Sequence, residues 1–549
     1  MLLDFLSIIL LIFNFFISGS ILGLFFFPND ETSNIFLIPK YIFLGIFLNI
    51  SYLQIWHLFS PINLKCIITL HVAQIIFLYL YRNSHKCFAY LKSYKKSSFL
   101  SLFLFVAWIC NLSGGDLSPY DSGLYHLPII NWLSSFKLIK GLANLNLAYG
   151  VNSNLFLLIS SANHYPNSKD FLWIYNAVFL SVGFISFFCI PLNMILSKER
   201  SKREIFARLI LLIPLFHYSF YYYPGTSTDL PLFIIGSHLG LEFIFFFRNK
   251  KKKSSAYIPI LIFLGLSIKI SFLFLGFFSL LIFLHNEKSI FNIRIKCRRN
   301  MLFYFVVSST CIWLYRGIVL SGYPFLPISS FSVPVDWKVK KEVITKLENN
   351  IVQYGINSKS EKIFEKIFES RYDYLHRLFP QHRRLEMLYP LLVGFFCFIF
   401  ALFKGKKMEL MILIPIIAQL LLWLYIPKNR YSSFASWWFC SSYFSLIAPK
   451  INFSKSTVYI PILFLLTSII FHKVDQIGQV KNFFHGRVKK NIPEVGIKSF
   501  KTNSGLIIFV PIGEDDRCFD TNLLCTNDPN ENLSLYDEND LKKGFYIKD

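Results

Sequence analysis

Carboxylates and an imidazole stand close together in one short stretch of an otherwise apolar chain. The stretch GGDLSPYDSGLYHLP (114–128) contains Asp116, Asp121 and a Tyr125-His126 pair. Carboxylates and imidazoles are side chains that enzymes commonly use to accept and donate protons. The competing interpretation is that both aspartates close Asx-turns beside the glycine and proline residues of a loop.

A further carboxylate, Asp229, opens an apolar run in YYYPGTSTDLPL (221–232). The helix dipole stabilises a negative charge in the first turn of a helix, and Ser227 or Thr228 would cap this one. The helix-terminal role therefore explains Asp229 as well as a binding role does.

Three cations lie in similarly apolar surroundings: Lys269 in LGLSIKISFLFLG, Arg316 in IWLYRGIVLSGYPFLP and Arg430 in WLYIPKNRYSSFASWW. An ionised lysine at the centre of a membrane helix costs about 3 kcal/mol, so such residues usually face a cavity, a counter-charge or an anionic ligand. The alternatives are snorkelling or pairing with a buried acid for Lys269 and Arg316, and an interfacial anchor for Arg430.

Carboxylates and cations on the same side of a membrane would suit a lipid-linked phosphosugar. The cations would bind the phosphate leaving group, with arginine doing so through paired hydrogen bonds. A carboxylate would accept the proton of a hydroxyl as that hydroxyl attacks the anomeric carbon.

The elements that position these residues are predicted to be membrane helices. The 549 residues are 54% hydrophobic and only 16% charged, which excludes an ordinary soluble protein of this length. We predict an all-α polytopic membrane protein with about 12–14 transmembrane helices. The predicted spans are 2–27, 37–60, 63–82, 98–112, 170–196, 205–223, 228–247, 256–285, 301–320, 388–403, 408–426, 431–449 and 456–472.

Positive charge between the spans predicts their orientation. Basic loops such as RNKKKK (248–253) and KSIFNIRIKCRR (288–299) should be cytoplasmic. Because both flank 256–285, that run must cross twice or re-enter, and we expect a break around 265–267. The first apolar run lacks a basic n-region, so we expect a retained span and not a signal peptide. The side of the N-terminus stays open, and the net charge of +24 is assigned largely to these loops and not to nucleic-acid binding.

The predicted organisation has six parts. They are N-terminal transmembrane helices (1–112), a first large outward loop with interfacial helices (113–168), central transmembrane helices (169–320), an outward helical loop (321–387), C-terminal transmembrane helices (388–472) and an outward soluble tail (473–549).

Two segments of the first outward loop are predicted to lie in the membrane interface. Residues 124–139 have one apolar helical face with polar side chains opposite, and 151–165 is a second such element. In the tail, Cys518 and Cys525 are spaced to close a short loop, which an oxidising compartment would favour as a disulfide; the alternative is two free thiols.

Several motifs carry a resemblance to a known family. In order, they are DSGLYHLPIINWL (121–133), STDLPL (227–232), GLSIKISFLFLG with Lys269, RGIVLSGYPFLPIS (316–329), IPKNRYSSFASWWF (426–439), DRCFDTNLLCTNDPNENLSL (516–535) and KKGFYI (542–547). In this order they resemble a family of bacterial multi-pass membrane proteins related to the GT-C glycosyltransferases. That superfamily includes the protein O-mannosyltransferases and the lipid A aminoarabinose transferases.

The resemblance implies a glycosyltransferase that uses a polyprenyl-phosphate sugar at the outer face of the cytoplasmic membrane. Asp121 matches the aspartate before Tyr-His and is the expected catalytic base, with Asp116 as a nearby second acid. Arg430 matches a late-loop arginine suited to the donor phosphate. The expected substrate-binding residues are Tyr125, His126, Asp229, Lys269, Arg316 and Arg430.

The expected partners are membrane lipid, the lipid-linked sugar donor and a glycan, lipid or protein acceptor, without nucleic acid. The first outward loop has no adjacent acidic pair, so we expect no cofactor and find no support for a divalent metal. Two other functions stay open: a transporter or flippase of lipid-linked glycans, with Lys269 as a midplane contact, and a noncatalytic protein of envelope assembly.

Overall fold

The structure, a computed structural model, is a helical bundle followed by a small β region. It describes residues 2–26, 37–80, 95–112, 120–162, 173–197, 201–221, 225–248, 257–286, 298–356, 385–403, 410–447, 492–513 and 515–548.

The helices follow one another along the chain. They are α1 (Leu2–Phe26), α2 (Leu37–Phe59), α3 (Leu64–Leu80), α4 (Lys96–Leu112), α5 (Leu127–Ser135), α6 (Asn154–Ala162), α7 (Ile174–Leu196), α8 (Lys202–Leu209), α9 (Leu212–Tyr221), α10 (Asp229–Arg248), α11 (Ile258–Ile268), α12 (Leu273–Asn286), α13 (Arg298–Ser321), α14 (Lys341–Ile356), α15 (Leu388–Phe403), α16 (Leu413–Tyr425) and α17 (Ser433–Ile447). Most of the helices are apolar, whereas α8 and α14 carry many charged and polar residues.

Five of these helices are long and apolar enough to cross a membrane: Asp4–Gly23, Leu37–Phe59, Ile174–Leu196, Asp229–Phe247 and Asn300–Ser321. Large apolar side chains such as Phe77, Phe103 and Phe396 are exposed on the outside of shorter helices. Exposing such apolar surfaces to water is unfavourable, whereas exposing them to lipid is not. The candidate spans fit the predicted multi-pass membrane protein, and the mostly helical fold is confirmed. The predicted span 456–472 lies outside the described residues.

Two predicted spans are interrupted. The run 205–223 divides into α8 and α9, and the run 256–285 divides into α11 and α12. The second interruption confirms the expected break but moves it to Lys269, whose backbone is extended (φ −152°, ψ 125°). A short 3₁₀ turn, Ile270–Phe272, then leads into α12.

Close packing of α1 on α2 illustrates how the bundle is held together. A Cβ atom on Gly19 would lie 1.6 Å from the carbonyl oxygen of Tyr41, and one on Gly45 would lie 1.9 Å from that of Phe15. Small residues of this kind let membrane helices approach backbone to backbone, which increases their van der Waals contact.

The tail forms two short hairpins that pack against the bundle. Strand β1 (Ile497–Lys501) pairs antiparallel with β2 (Ile507–Pro511), and β3 (Leu533–Leu535) pairs antiparallel with β4 (Phe545–Ile547). Cys518 and Cys525 form a disulfide, which confirms that prediction.

The two predicted interfacial segments differ from expectation. In the first, α5 is only nine residues long and does not span, but its faces are covered by protein. Asn131, on the predicted polar face, donates a hydrogen bond to Asp520 of the tail (2.7 Å), and Trp132 packs on Phe545. In the second, every residue of α6 is buried. The apolar periodicity of both segments predicts a lipid contact, but protein side chains pack against these faces instead.

Candidate functional site

Asp121 lies at the start of a π-helical turn, Ser122–His126, that leads directly into α5. The turn places the carboxylate at the edge of the bundle, where its side chain is 33% exposed. Its Oδ2 atom lies 3.4 Å from Nη1 of Arg430. Asp121 is therefore paired and still open to a ligand.

Asp229 lies deeper, at the start of α10, where its side chain is only 4% exposed. Its backbone N–H donates to Oγ of Ser227 (3.2 Å), so Ser227 fulfils the predicted local role at this terminus. The carboxylate has two cationic partners as well. Lys269 Nζ contacts Oδ1, and Arg430 Nη1 lies 3.7 Å from Oδ2. The helix-terminal and cation-pairing roles thus coexist at this residue.

Lys269 reaches Asp229 because the chain breaks there. The backbone of Lys269 is extended between α11 and the following 3₁₀ turn, so its side chain does not lie on the surface of a helix. The ammonium group also lies 5.0 Å from the ring centre of Tyr431, within cation–π range. A counter-charge and an aromatic face compensate the cost of a lysine in this apolar run.

Arg430 joins the two carboxylates. It belongs to a 3₁₀ turn, Asn429–Tyr431, between α16 and α17. Gln419 of α16 fixes the turn by donating to the carbonyl of Tyr431 (2.8 Å), and Trp423 donates to Asn429 (3.2 Å). Burial alone would lower the pKa of Arg430, but nearby Asp229, Tyr431 and Asp121 raise it above its usual value. The guanidinium group is therefore permanently charged.

These four side chains form what we call the charge cluster: Asp121, Asp229, Lys269 and Arg430. Two carboxylates meet two cations, so the formal charges cancel. The cluster brings together residues from four separate regions of the chain, all of which were candidates from the sequence.

A hydroxyl relay fixes the tautomer of His126 beside the cluster. Thr226 donates its hydroxyl proton to Ser122 (3.1 Å), so it must accept from Nδ1 of His126 (2.7 Å). Burial lowers the pKa of His126 to about 4. The imidazole is thus neutral near pH 7, with its proton on Nδ1.

Tyr125, the other member of the predicted pair, is partly buried. Burial, together with the nearby charge of Asp121, raises the pKa of Tyr125 well above its usual value. The phenol therefore keeps its proton at neutral pH and can serve only as a neutral hydrogen-bonding group.

An apolar cavity of about 410 Å³ adjoins the cluster. Tyr125, Thr228, Lys269 and Tyr431 form its polar end. Its other walls are mostly apolar and come from the helix break, α13, the loop after α13, α14 and α16; they include Ile268, Phe274, Trp313, Phe325, Ile351 and Leu422. Lys269 is the member of the charge cluster that lines the cavity, and Glu348 of α14 also lines it. The mostly apolar walls suit a hydrocarbon chain.

The remaining candidates do not join the cluster. Arg316 is 2% exposed in α13 and lines a different, smaller cavity together with His57 and Trp132. Asp116 lies outside the described residues. Among the residues that the structure describes, no group of three or more His, Cys, Asp or Glu side chains could hold a metal ion.

Sequence reasoning missed three supporting residues, Ser122, Thr226 and Tyr431. Tyr431 directly follows Arg430, so its proximity was readable, but its stacking under two cations depends on the fold. Ser122 and Thr226 are far apart in the sequence and have no distinctive spacing. Nothing in the sequence could have paired them.

Comparison with known proteins gives one match. Residues 1–437 match the model of a domain of unknown function (DUF8201), which covers most of the chain and includes all four members of the charge cluster. No curated protein and no solved structure matches the chain. The chain belongs to the DUF8201 family.

Proposed function

We propose that this member of the DUF8201 family is a membrane-embedded glycosyltransferase that takes its sugar from a polyprenyl-phosphate donor. The observation that carries the proposal is the charge cluster at the polar end of the apolar cavity. A lipid-linked phosphosugar has the same division, with a charged headgroup next to a hydrocarbon tail. The acceptor would be a glycan, lipid or protein of the cell envelope.

In the proposed reaction, Arg430 and Lys269 bind the donor phosphate. Arg430 is held by Asp121 and Asp229, and Lys269 by Asp229, so both cations are positioned before a ligand arrives. Positioned charges stabilise a developing phosphate anion without the cost of reorganisation. Asp229 acts as their positioning residue.

Asp121 is the proposed general base, since it is the more exposed of the two carboxylates. The acceptor oxygen bonds to the anomeric carbon, the bond from that carbon to the phosphate oxygen breaks, and its electron pair stays on the phosphate. The proton of the acceptor hydroxyl moves to Asp121. Tyr125 and neutral His126 would orient the sugar or the acceptor.

The site would face the periplasm or the exterior. The predicted cytoplasmic position of the basic loops supports this orientation, as does the disulfide in the tail that packs beside Asp121. The cytoplasmic membrane of a bacterium is the proposed location.

The decisive test is Asp121→Asn in the purified full-length protein, supplied with polyprenyl-phosphate sugars and envelope acceptor. The change keeps the shape and removes the base, so we expect transfer to fall by about 10²–10⁴-fold. Glu538→Gln, at an exposed carboxylate of the tail, is the matched control and should transfer at the wild-type rate. Full transfer by Asp121→Asn would rule out this base.

The helix break at Lys269 favours one alternative, a flippase of lipid-linked glycans. Transporters place substrate contacts at broken helices near the middle of the membrane. Reconstituted vesicles separate the two functions. Loss of lipid-linked sugar translocation in Lys269→Met, with no transfer activity in the wild type, would support the flippase and contradict the transferase.

A further inference from the structure

The second cavity contains Arg316, which has no counter-charge among the residues that the structure describes. The side chain of Arg316 is 2% exposed, and neither Nε nor Nη1 has a hydrogen-bond partner among the described residues. The cavity is lined by twelve described residues, and none of them is an aspartate or glutamate. A buried guanidinium group with no anion nearby is costly, because it has lost its water without gaining a partner.

Other polar atoms around the cavity are also unsatisfied. Trp132 Nε1 is buried and has no partner among the described residues, and neither has Nδ1 of His57. The other nitrogen of His57, Nε2, lies 3.1 Å from the carbonyl oxygen of Phe136 and must donate to it. Arg316 and Trp132 both line this cavity, and their unpartnered nitrogens can only donate.

We infer that this cavity binds a small monatomic anion, with chloride as the physiological occupant. The donors are Nε–H and Nη1–H of Arg316 and Nε1–H of Trp132, and His57 would add a donor if the anion draws a proton to Nδ1. Lys137, an exposed cation that also lines the cavity, attracts anions to its entrance.

The size of the cavity selects the ligand. It holds about 20 Å³, room for one water-sized particle, and its other walls include Ile129, Leu133, Leu142 and Leu320. A phosphate or a carboxylate would not fit, whereas a single halide would. This site is therefore distinct in ligand from the charge cluster and does not rest on the proposed function.

The site also has a structural consequence. Its walls come from α2, α5, the loop before α6, and α13, so a bound anion would join four separate parts of the chain. Val151 and Ser153 line both this cavity and the larger one beside the charge cluster. Anion binding would hold this shared wall in place.

Bromide tests the site directly, because its anomalous scattering locates it in crystals of the full-length protein. We expect a peak within hydrogen-bond distance of Arg316 and Trp132 in the wild type. Absence of a peak there at saturating bromide would overturn the proposal and leave only solvent in the cavity.

Thermal unfolding gives a second measurement. Replacing sodium gluconate with sodium bromide at equal ionic strength should raise the Tm of the wild type by roughly 2 °C, saturably. Arg316→Gln should abolish this anion-specific shift, and Trp132→Phe should weaken it. Lys346→Gln removes an exposed cation elsewhere and should keep the whole shift. An undiminished shift in Arg316→Gln would contradict the site. If that variant fails to fold, Trp132→Phe and the bromide peak still decide.

Discussion

The charge cluster and the Arg316 cavity differ in whether their buried charges are paired with opposite charges. In the cluster, Asp229 is almost fully buried but has two cations beside it, and each cation has a carboxylate. In the cavity, Arg316 is just as buried and has neither a carboxylate nor a hydrogen-bond partner for two of its nitrogens among the described residues. A site whose charges are paired within the protein keeps its geometry without a ligand. A site with an unpaired buried charge depends on the ligand that binds there.

The largest effect is expected when the charge cluster loses one of its carboxylates. Asp229→Asn leaves Lys269 without its carboxylate and Arg430 with only Asp121. Removing one partner of a buried ion pair costs about 3–5 kcal/mol, so we expect a marked drop in Tm in detergent. The double variant Asp229→Asn/Lys269→Met removes both members and should recover part of the loss. An unchanged Tm in the single variant would mean that the pairing does not stabilise the fold.

A somewhat smaller effect is expected from the tail. Phe519 donates its backbone N–H to the carbonyl of Gly123 (2.8 Å), next to Asp121, and a Cβ on Gly123 would lie 2.6 Å from the Phe519 ring. The disulfide closes the loop that follows Arg517. Replacing Cys518 and Cys525 with serine should cost about 2.5 kcal/mol through the freedom gained by the unfolded loop.

The same double serine variant distinguishes the two regions. Its proposed transfer activity should fall because the turn that carries Asp121 loses its support, while the bromide-induced shift in Tm should persist. Loss of the bromide shift would show that the tail holds both regions equally.

A pH titration examines the neutral histidine beside the cluster. An exposed histidine has a pKa of about 6.5, and burial lowers that of His126 to about 4. Between these values the unfolded chain binds a proton that the folded chain does not, so stability falls as the pH is lowered. From pH 6.5 to 5 the loss should be about 1.6 kcal/mol. His126→Gln should lose this part of the pH dependence. An unchanged stability profile in that variant would show that other groups cause the pH dependence.

Loss of the Arg316 charge should change stability least. In halide-free gluconate, Arg316→Met should unfold at a Tm equal to or slightly above that of the wild type. Removing an unpaired buried charge strands no partner, and a hydrophobic replacement is often neutral or stabilising. A Tm well below the wild type in that buffer would show that Arg316 has a protein partner after all.

The sequence predicts the helical elements well because membrane helices follow local hydropathy. Predicted spans such as 37–60 and 388–403 match α2 and α15 closely. The break in 256–285 is expected because basic loops flank that run on both sides, and the structure places it at Lys269. The cysteine pair was likewise readable from its short spacing. These features depend on residues that are close together in the chain.

Features that depend on distant partners could not be predicted in this way. The apolar faces of α5 and α6 look like lipid contacts until the tail and neighbouring helices are known to cover them. Arg316, grouped with Arg430 by residue type and predicted side, lies in a different cavity. Residue type suggests what a side chain can do, but only the packing decides which partner it meets.

The hydrogen bond between Phe519 and Gly123 bears on the order in which the protein is made. The ribosome releases Asp121 and the first helices long before it adds Phe519, because synthesis runs from the N-terminus. The turn that carries Asp121 therefore lacks its contact with Phe519 through the insertion of most of the bundle. This contact forms only after Phe519 has been added and the tail has packed on the turn, so completion of the site is coupled to completion of synthesis.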